Sequence, residues 1–179
     1  RIQQEMILGI GGVRALHAIG LHPVACHMNE GHSALLGADR IRMVMEEGGN
    51  TFDEALLPVS AATVFTTHTA VAAGIDLFPP ELVRRHLGRY YYSLGIDDRR
   101  FLGLGRINAD DDHEPFSMAL LGLRLSGYRN GVSRLHRTVS RNLWESAWPK
   151  LPTEQIPIDS ITNGVHLPTW VSHAMADLF

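Results

Sequence analysis

The run Ala61-Ala62-Thr63-Val64-Phe65-Thr66-Thr67-His68-Thr69 points to the class of fold. Its first part is apolar and β-branched, which reads as a buried strand over 61–66. It then stops in hydroxyls and an imidazole. In open α/β sheets, ligands bind outside the carboxyl ends of the strands, so such an ending presents polar groups where a ligand would lie. Two other runs end alike. Val24-Ala25-Cys26-His27-Met28 delivers Asn29-Glu30-Gly31-His32, and Ile158-Asp159-Ser160-Ile161-Thr162 delivers Asn163-Gly164. Together the three ends offer Asn, His, Glu and Thr to one crevice. These groups make and accept neutral hydrogen bonds, which suits a sugar.

Working outward, residues 1–20 read as a helix, with Ile2, Met6, Ile10 and Val13 near helical spacing. Gly9, Gly11 and Gly12 weaken it and suggest close packing. No strand precedes them, so they are not a phosphate loop. After the strand at 24–28, a helix is expected over about 33–47, and a second from Thr51 to about Val59. Thr51 with Glu54 is the signature of a capping box. Strand, helix, helix, strand implies a parallel crossover in a covered sheet. Further helices are expected at about 80–87, 88–94, 116–127 and 136–145, strands at about 129–134 and 158–162, and a last helix near Thr169. The Tyr90-Tyr91-Tyr92 cluster reads as ordinary packing or as a sugar platform. The glycine-rich, acidic stretch 95–115 reads as a mobile, solvated loop.

The 179 residues are enough for one well-buried domain. No apolar run approaches the roughly 20 residues that span a bilayer. With no initiator Met and a start inside a helical pattern at Arg1, the chain reads as a piece of something longer. The single cysteine, Cys26, fits a reducing, cytoplasmic compartment. A net charge of -3 argues against nucleic acid as the main partner. Of the 16 basic residues only Lys150 is a lysine.

Ten histidines invite a metal reading, but His17, His22, His27 and His32 recur every five residues, a spacing that suits neither helix nor strand ligation, and no metal site is expected. No Gly-x-Ser-x-Gly elbow supports a serine hydrolase. Glu30 and Asp159 could pair for glycoside hydrolysis, though Asp159 lies inside a strand pattern. His68 alone reads equally as a satisfied core histidine, Asn29 or Ser33 as a helix cap, and Asn163-Gly164 as a turn. The three strand ends together favour a polar ligand site.

In order, these residues resemble the α-glucan phosphorylases, the family of glycogen and maltodextrin phosphorylases. Arg1-Ile2-Gln3-Gln4-Glu5 is similar to the family's Arg-x-x-Gln-Glu start, Asn29-Glu30-Gly31-His32 to its Asn-Asp/Glu-x-His loop, and Thr67-His68-Thr69 to its His-Thr segment. Asn130-Gly131-Val132-Ser133-Arg134-Leu135-His136 resembles Asn-Gly-Val-x-x-(Ile/Leu)-His, and Thr162-Asn163-Gly164-Val165 with Trp170 resembles Thr-Asn-Gly-Ile…Trp. Glu30 and the Gly74…Phe78-Pro79 stretch look closer to the shorter bacterial and archaeal branch.

The resemblance implies an α/β fold: a parallel, Rossmann-like sheet with helices on both faces, part of the N-terminal half of a two-domain glycosyltransferase of the GT-B type. Residues 1–165 would belong to that half, and 166–179 would begin the crossover to a cofactor domain. It implies phosphorolysis of α-1,4-glucan or maltodextrin by inorganic phosphate to glucose 1-phosphate, with retained configuration and pyridoxal phosphate as cofactor. His68 and Asn163 would bind the reacting glucose, His68 also through its neighbouring carbonyl. Asn29, Glu30, His32 and Thr69 would contact substrate, with Glu30 and His32 facing the glucan channel. Trp170 would lie near the cofactor phosphate. Oligomerisation is possible.

Two departures stand out. Ala70 replaces the family's usual proline after the His-Thr pair. The lysine that attaches the cofactor has no counterpart here, because Lys150 sits in a proline-rich connection outside every motif. The chain alone is therefore expected to be inactive. A sugar-nucleotide glycosyltransferase like glycogen synthase shares the Asn-Gly strand end, but the Arg-x-x-Gln-Glu start and the His-Thr segment favour a phosphorylase. A non-catalytic glucan-binding module is a further alternative.

Overall fold

The structure is a computed structural model that describes residues 1–178. The chain enters as one helical rod: α1 (Ile2–Met6), a π-helical segment (Ile7–Gly11) and α2 (Gly12–Ala18). The wide turn contains Gly9. A Cβ on Gly9 would lie 2.8 Å from both Leu35 Cβ and Leu36 N, so the glycine permits close approach of two helices.

Strand β1 (Cys26–Asn29) leads through a 3₁₀ turn (Gly31–Ser33) into α3 (Leu35–Gly48), which stops at Gly49 with φ 66°. Helix α4 (Phe52–Ala61) opens on the expected capping box, in which the Glu54 carboxylate accepts the Thr51 N–H at 2.8 Å and the Thr51 hydroxyl accepts the Glu54 N–H at 3.4 Å. It carries Pro58 inside and runs past the expected end near Val59. Strand β2 (Thr63–Thr67) follows. Then come β3 (Leu77–Phe78), α5 (Pro80–Tyr92), α6 (Asp98–Leu104), β4 (Phe116–Ser117), α7 (Met118–Leu125), β5 (Tyr128–Gly131), α8 (Arg134–Leu143) and β6 (Asp159–Ser160). Short helices α9 (Leu167–Trp170) and α10 (His173–Ala176) end the described chain.

The main sheet is parallel, in the order β1-β2-β5-β6, with Met28 beside Phe65 and Phe65 beside Arg129. Strands β3 and β4 form a separate antiparallel pair. Met28 and Phe65 share a buried cluster with Ala119, Leu120 and Leu123 of α7 and with Trp144, Ile156 and Ile158. A larger cluster joins the rod to α3, α4, α5, α6 and α7. The opposite sheet face carries His27, Val64 and Tyr128 and is more open, Tyr128 being 64% exposed. Strands added in spatial order by right-handed crossovers put their connecting helices on one side, which explains the asymmetry.

Several expected boundaries are corrected. The two helices expected at 80–87 and 88–94 are one, because Gly88 sits in the helix interior without breaking it. The stretch 95–115 is not a mobile loop throughout. Asp97 caps α6 by accepting the Arg100 N–H at 2.8 Å, and Phe101 and Leu102 are buried. Beyond α6 the Glu114 carboxylate accepts the N–H groups of Ile107 (2.6 Å) and Asn108 (2.8 Å), and the buried Arg106 donates to the carbonyls of Glu114 and Asp112. The expected helix at 116–127 begins only at Met118, after Ser117, whose hydroxyl accepts the Leu120 N–H.

The tyrosine cluster packs rather than forming a platform. Tyr90 donates to Asp39 and Tyr91 donates to Asp98 at 2.6 Å, while Tyr92 stays exposed. Asp39 is fully buried and also bonds Arg14 and Arg42. Burial raises its carboxyl pKa, but the hydrogen bonds of Arg14 and Arg42 outweigh that and hold it below the usual carboxylate range. Glu5 shows the opposite balance. Burial, then the charge of Asp76, push its carboxyl up despite Arg1 nearby.

Candidate functional site

The carboxyl ends of β1, β2, β5 and β6 lie side by side, so the residues that follow them converge. Four of the expected residues meet at the first two ends: Asn29 closes β1, Glu30 follows it, and His68 and Thr69 follow β2. The pairing runs on past the strand, since Glu30 N–H donates to the Thr66 carbonyl at 2.9 Å. Asn163 joins from the far edge. Ile161 N–H donates to Gly131 and Asn163 N–H to Val132 at 3.1 Å, which holds Asn163 beside the end of β5.

Glu30 is the pivot. Its backbone sits at φ 70° and ψ 174°, a region that glycine occupies with ease. Holding a side-chain residue there costs about 1–3 kcal/mol. In this conformation one carboxylate oxygen accepts three hydrogen bonds: from His68 N–H (2.7 Å), Thr69 N–H (2.9 Å) and the Thr69 hydroxyl (3.1 Å). The other accepts from the Thr67 hydroxyl at 3.4 Å. Gly31 then allows the turn to touch α7, because a Cβ there would lie 2.6 Å from Ala119 N.

A second anchor is His136 on α8. Its Nδ1 accepts the Val132 N–H at 3.3 Å, so the proton of the neutral ring lies on Nε2, which donates to the Thr69 carbonyl at 3.3 Å. Beneath the loop, the Thr66 hydroxyl donates to Asn130 Oδ1 at 2.9 Å and accepts from His27 Nε2 at 2.6 Å. The loop that carries His68 is thus fixed through its backbone and its neighbours, while the His68 side chain is exposed.

Glu30, His32 and Thr69 also line a recess of about 180 Å³ with Arg1, Asp76 and Met118. That is smaller than the roughly 300 Å³ at which ligand pockets begin. His68 and Asn163 lie outside it. Trp170 is not drawn into the crevice; it is 80% exposed on α9. Lys150 is exposed in the connection before β6. Among the described residues no three His, Cys, Asp or Glu side chains are grouped to hold a metal, and no helix is long and apolar enough to cross a membrane.

His136 stands in the Asn130–His136 motif, and its place at the site comes from the fold. The signal was Ser133, three residues before it, which caps α8 by accepting the His136 N–H at 3.0 Å and so places the imidazole in the first turn beside β5.

A parallel α/β sheet whose strand ends gather polar groups at one edge has the architecture of an α/β protein that binds its ligand outside those ends. The model of the family described as carbohydrate phosphorylase matches residues 15–179, and the chain belongs to that family, whose fold is the GT-B type. It is 46% identical to a glycogen phosphorylase of Mycobacterium tuberculosis over 96% of this chain and 21% of that protein. It is 44% identical to a maltodextrin phosphorylase of Thermococcus litoralis over 99% of this chain and 20% of that protein, and 31% identical to a glycogen phosphorylase of Aquifex aeolicus over 100% and 25%. These bacterial and archaeal sources agree with the branch read from Glu30 and Gly74…Phe78-Pro79. The chain spans about a fifth of the length of the curated relatives it matches.

Proposed function

We propose that this chain supplies glucose and glucan contacts to an α-1,4-glucan phosphorylase, which transfers the terminal glucosyl unit of a glucan or maltodextrin to inorganic phosphate as glucose 1-phosphate. The observation that carries this reading is the His68–Thr69 loop. It sits at a strand end, fixed by Glu30 and His136, with its imidazole free to meet a sugar hydroxyl. Asn163, held beside Val132, offers an amide to the same sugar. Asn29, His32 and Thr69 border the path of the glucan. Departure of the glycosidic oxygen builds positive charge at the sugar's first carbon in the transition state, and neutral acceptors around the ring suit that state better than cations would.

Pyridoxal phosphate is the cofactor implied by the family; it would supply a phosphate group that assists proton transfer. The residues present do not form its cradle. Lys150 is exposed in the connection before β6, and four arginines are committed elsewhere: Arg14 and Arg42 to Asp39, Arg129 and Arg141 to backbone carbonyls. No step is therefore assigned through the cofactor by this chain. Its attachment belongs to residues elsewhere in the parent protein, and the chain alone is inactive. Trp170 would approach the cofactor phosphate only within that larger protein.

Residues 1–165 belong to the N-terminal domain and 166–179 to the crossover, a division supported by α9 and α10, which contain no buried residue. Cys26 suits a reducing, cytoplasmic setting.

The test uses the full-length parent with maltoheptaose and phosphate, with and without pyridoxal phosphate. Cofactor-dependent glucose 1-phosphate, lost in a folded His68→Ala variant, is the expected result. Chain elongation from a sugar nucleotide, with no product from phosphate, would assign the protein to the synthase-like glycosyltransferases instead.

A further inference from the structure

We infer that Glu30 is a positioning residue, which aims and polarises the His68 carbonyl toward positive charge on the sugar rather than binding the glucan itself; this rests on the phosphorylase reading above. The geometry begins with two successive peptide N–H groups, those of His68 and Thr69, converging on one Glu30 oxygen. Successive N–H groups turned to one point form a nest that ordinarily captures an anionic ligand. Here the chain fills the nest with its own carboxylate.

Orientation follows from peptide planarity. All peptide bonds in the described chain are trans, so the His68 carbonyl points opposite to the Thr69 N–H. With that N–H aimed at Glu30, the carbonyl oxygen is aimed away from it. The neighbouring Thr69 carbonyl is already taken by His136 Nε2–H. Among the described residues, no hydrogen-bond donor reaches the His68 carbonyl, which is thus left free as an acceptor. A carboxylate bonded to the N–H end of a peptide strengthens the negative end of its dipole, as in any chain of hydrogen bonds. The loop therefore presents a fixed acceptor backed by a full negative charge, an arrangement that favours a developing cation over a neutral sugar.

The backbone conformation of Glu30 supports the assignment. Glycine would adopt φ 70° and ψ 174° freely, yet the position carries a carboxylate, and that carboxylate is spent on the loop. Glu30 also borders the recess with His32 and Thr69, so direct contact with the glucan is the competing role, and kinetics separate the two.

The experiment uses the full-length parent loaded with its cofactor. In E30Q, kcat is expected to fall about tenfold to a hundredfold, the usual cost of removing a group that orients a reacting one. KM for maltoheptaose should stay within about twofold of wild type, since uniform binding is untouched. Affinity for an iminosugar with a protonated ring nitrogen should fall by a factor similar to kcat, while affinity for neutral glucose holds. E30D, which keeps the charge at shorter reach, should recover part of both losses. A raised KM with kcat preserved would overturn the assignment and make Glu30 a glucan contact. Equal loss of cationic and neutral sugar affinity would reduce it to a structural brace and overturn it as well. If E30Q does not fold, E30D decides by the same split between kcat and KM. If wild-type parent makes no glucose 1-phosphate, the phosphorylase reading fails by itself, and the cationic-against-neutral sugar comparison still judges Glu30.

Discussion

The Glu30 carboxylate receives the His68 amide at 2.7 Å although the two residues stand 38 positions apart. The bond ties the end of one strand to the end of its neighbour, and it uses the His68 backbone, not its ring. Loop position and imidazole chemistry are therefore separable. His68→Ala in the full-length parent should change stability by no more than about 0.5 kcal/mol, as for exposed side chains generally. Turnover should fall about a hundredfold or more, the scale of losing one aimed polar group. Thermal melting and a glucose 1-phosphate assay on the same preparation check both halves; a matching loss of melting temperature would mean the ring supports the fold.

Gly31→Ala should disturb the site from behind. Its Cβ would fall 2.6 Å from Ala119 N, a backbone atom that cannot swing aside. Overpacking of this kind costs about 1–3 kcal/mol. The displaced turn carries Glu30, so the amide protons of His68 and Thr69 should exchange faster with solvent. Unchanged exchange would show that α7 yields instead.

Asp39 and Glu5 should give opposite responses to acid. The folded pKa of Asp39 lies below its unfolded value, so its contribution is present above that unfolded value and is lost as pH falls through the folded pKa. The folded pKa of Glu5 lies above its unfolded value, so its contribution is full below that unfolded value and disappears as pH rises through the folded pKa. Asp39→Asn should therefore lose stability at neutral pH, by about 2–4 kcal/mol given Arg14 left unpaired and Arg42 left with Glu46 alone, and flatten the acid limb. Glu5→Gln should gain stability at neutral pH. Urea midpoints of both variants across pH 3–8 test the signs.

Thr51→Ala removes one side of the capping box and should cost about 1 kcal/mol. Chemical denaturation reads it directly, and Thr51→Ser should restore most of the loss.

What was legible in the sequence was what local chemistry decides. The cap at Thr51 and Glu54, the strand through Phe65 and the polar ends at Asn29, His68 and Asn163 all follow from short-range pattern. Helix α6 was hidden because Gly103 and Gly105 and a run of charges look like loop; the burial of Phe101 and Leu102, with the Asp97 cap, stabilises it as a helix. The inward turn of Glu30 was hidden for another reason. A carboxylate in a glycine-like conformation has no sequence signature, and its partners come from a separate strand. The His136 bond to Thr69 spans 67 positions and depends on the sheet being assembled first.

The π-helical turn at Ile7–Gly11 bears on how this protein can change length. Each residue advances a regular helix by about 100°. A wide turn therefore acts as one inserted residue, absorbed without unwinding the rod. Ile2 and Glu5 on one side of it, and Val13 on the other, are all buried, so both halves of the rod turn a face inward across the insertion. Deleting one residue between Ile7 and Gly11 would make the rod regular and leave Val13 on the face it occupies now. Lineages related to this chain can therefore differ by one residue across this turn without turning the helix on either side, and a one-residue alignment gap placed there keeps every flanking position on its face.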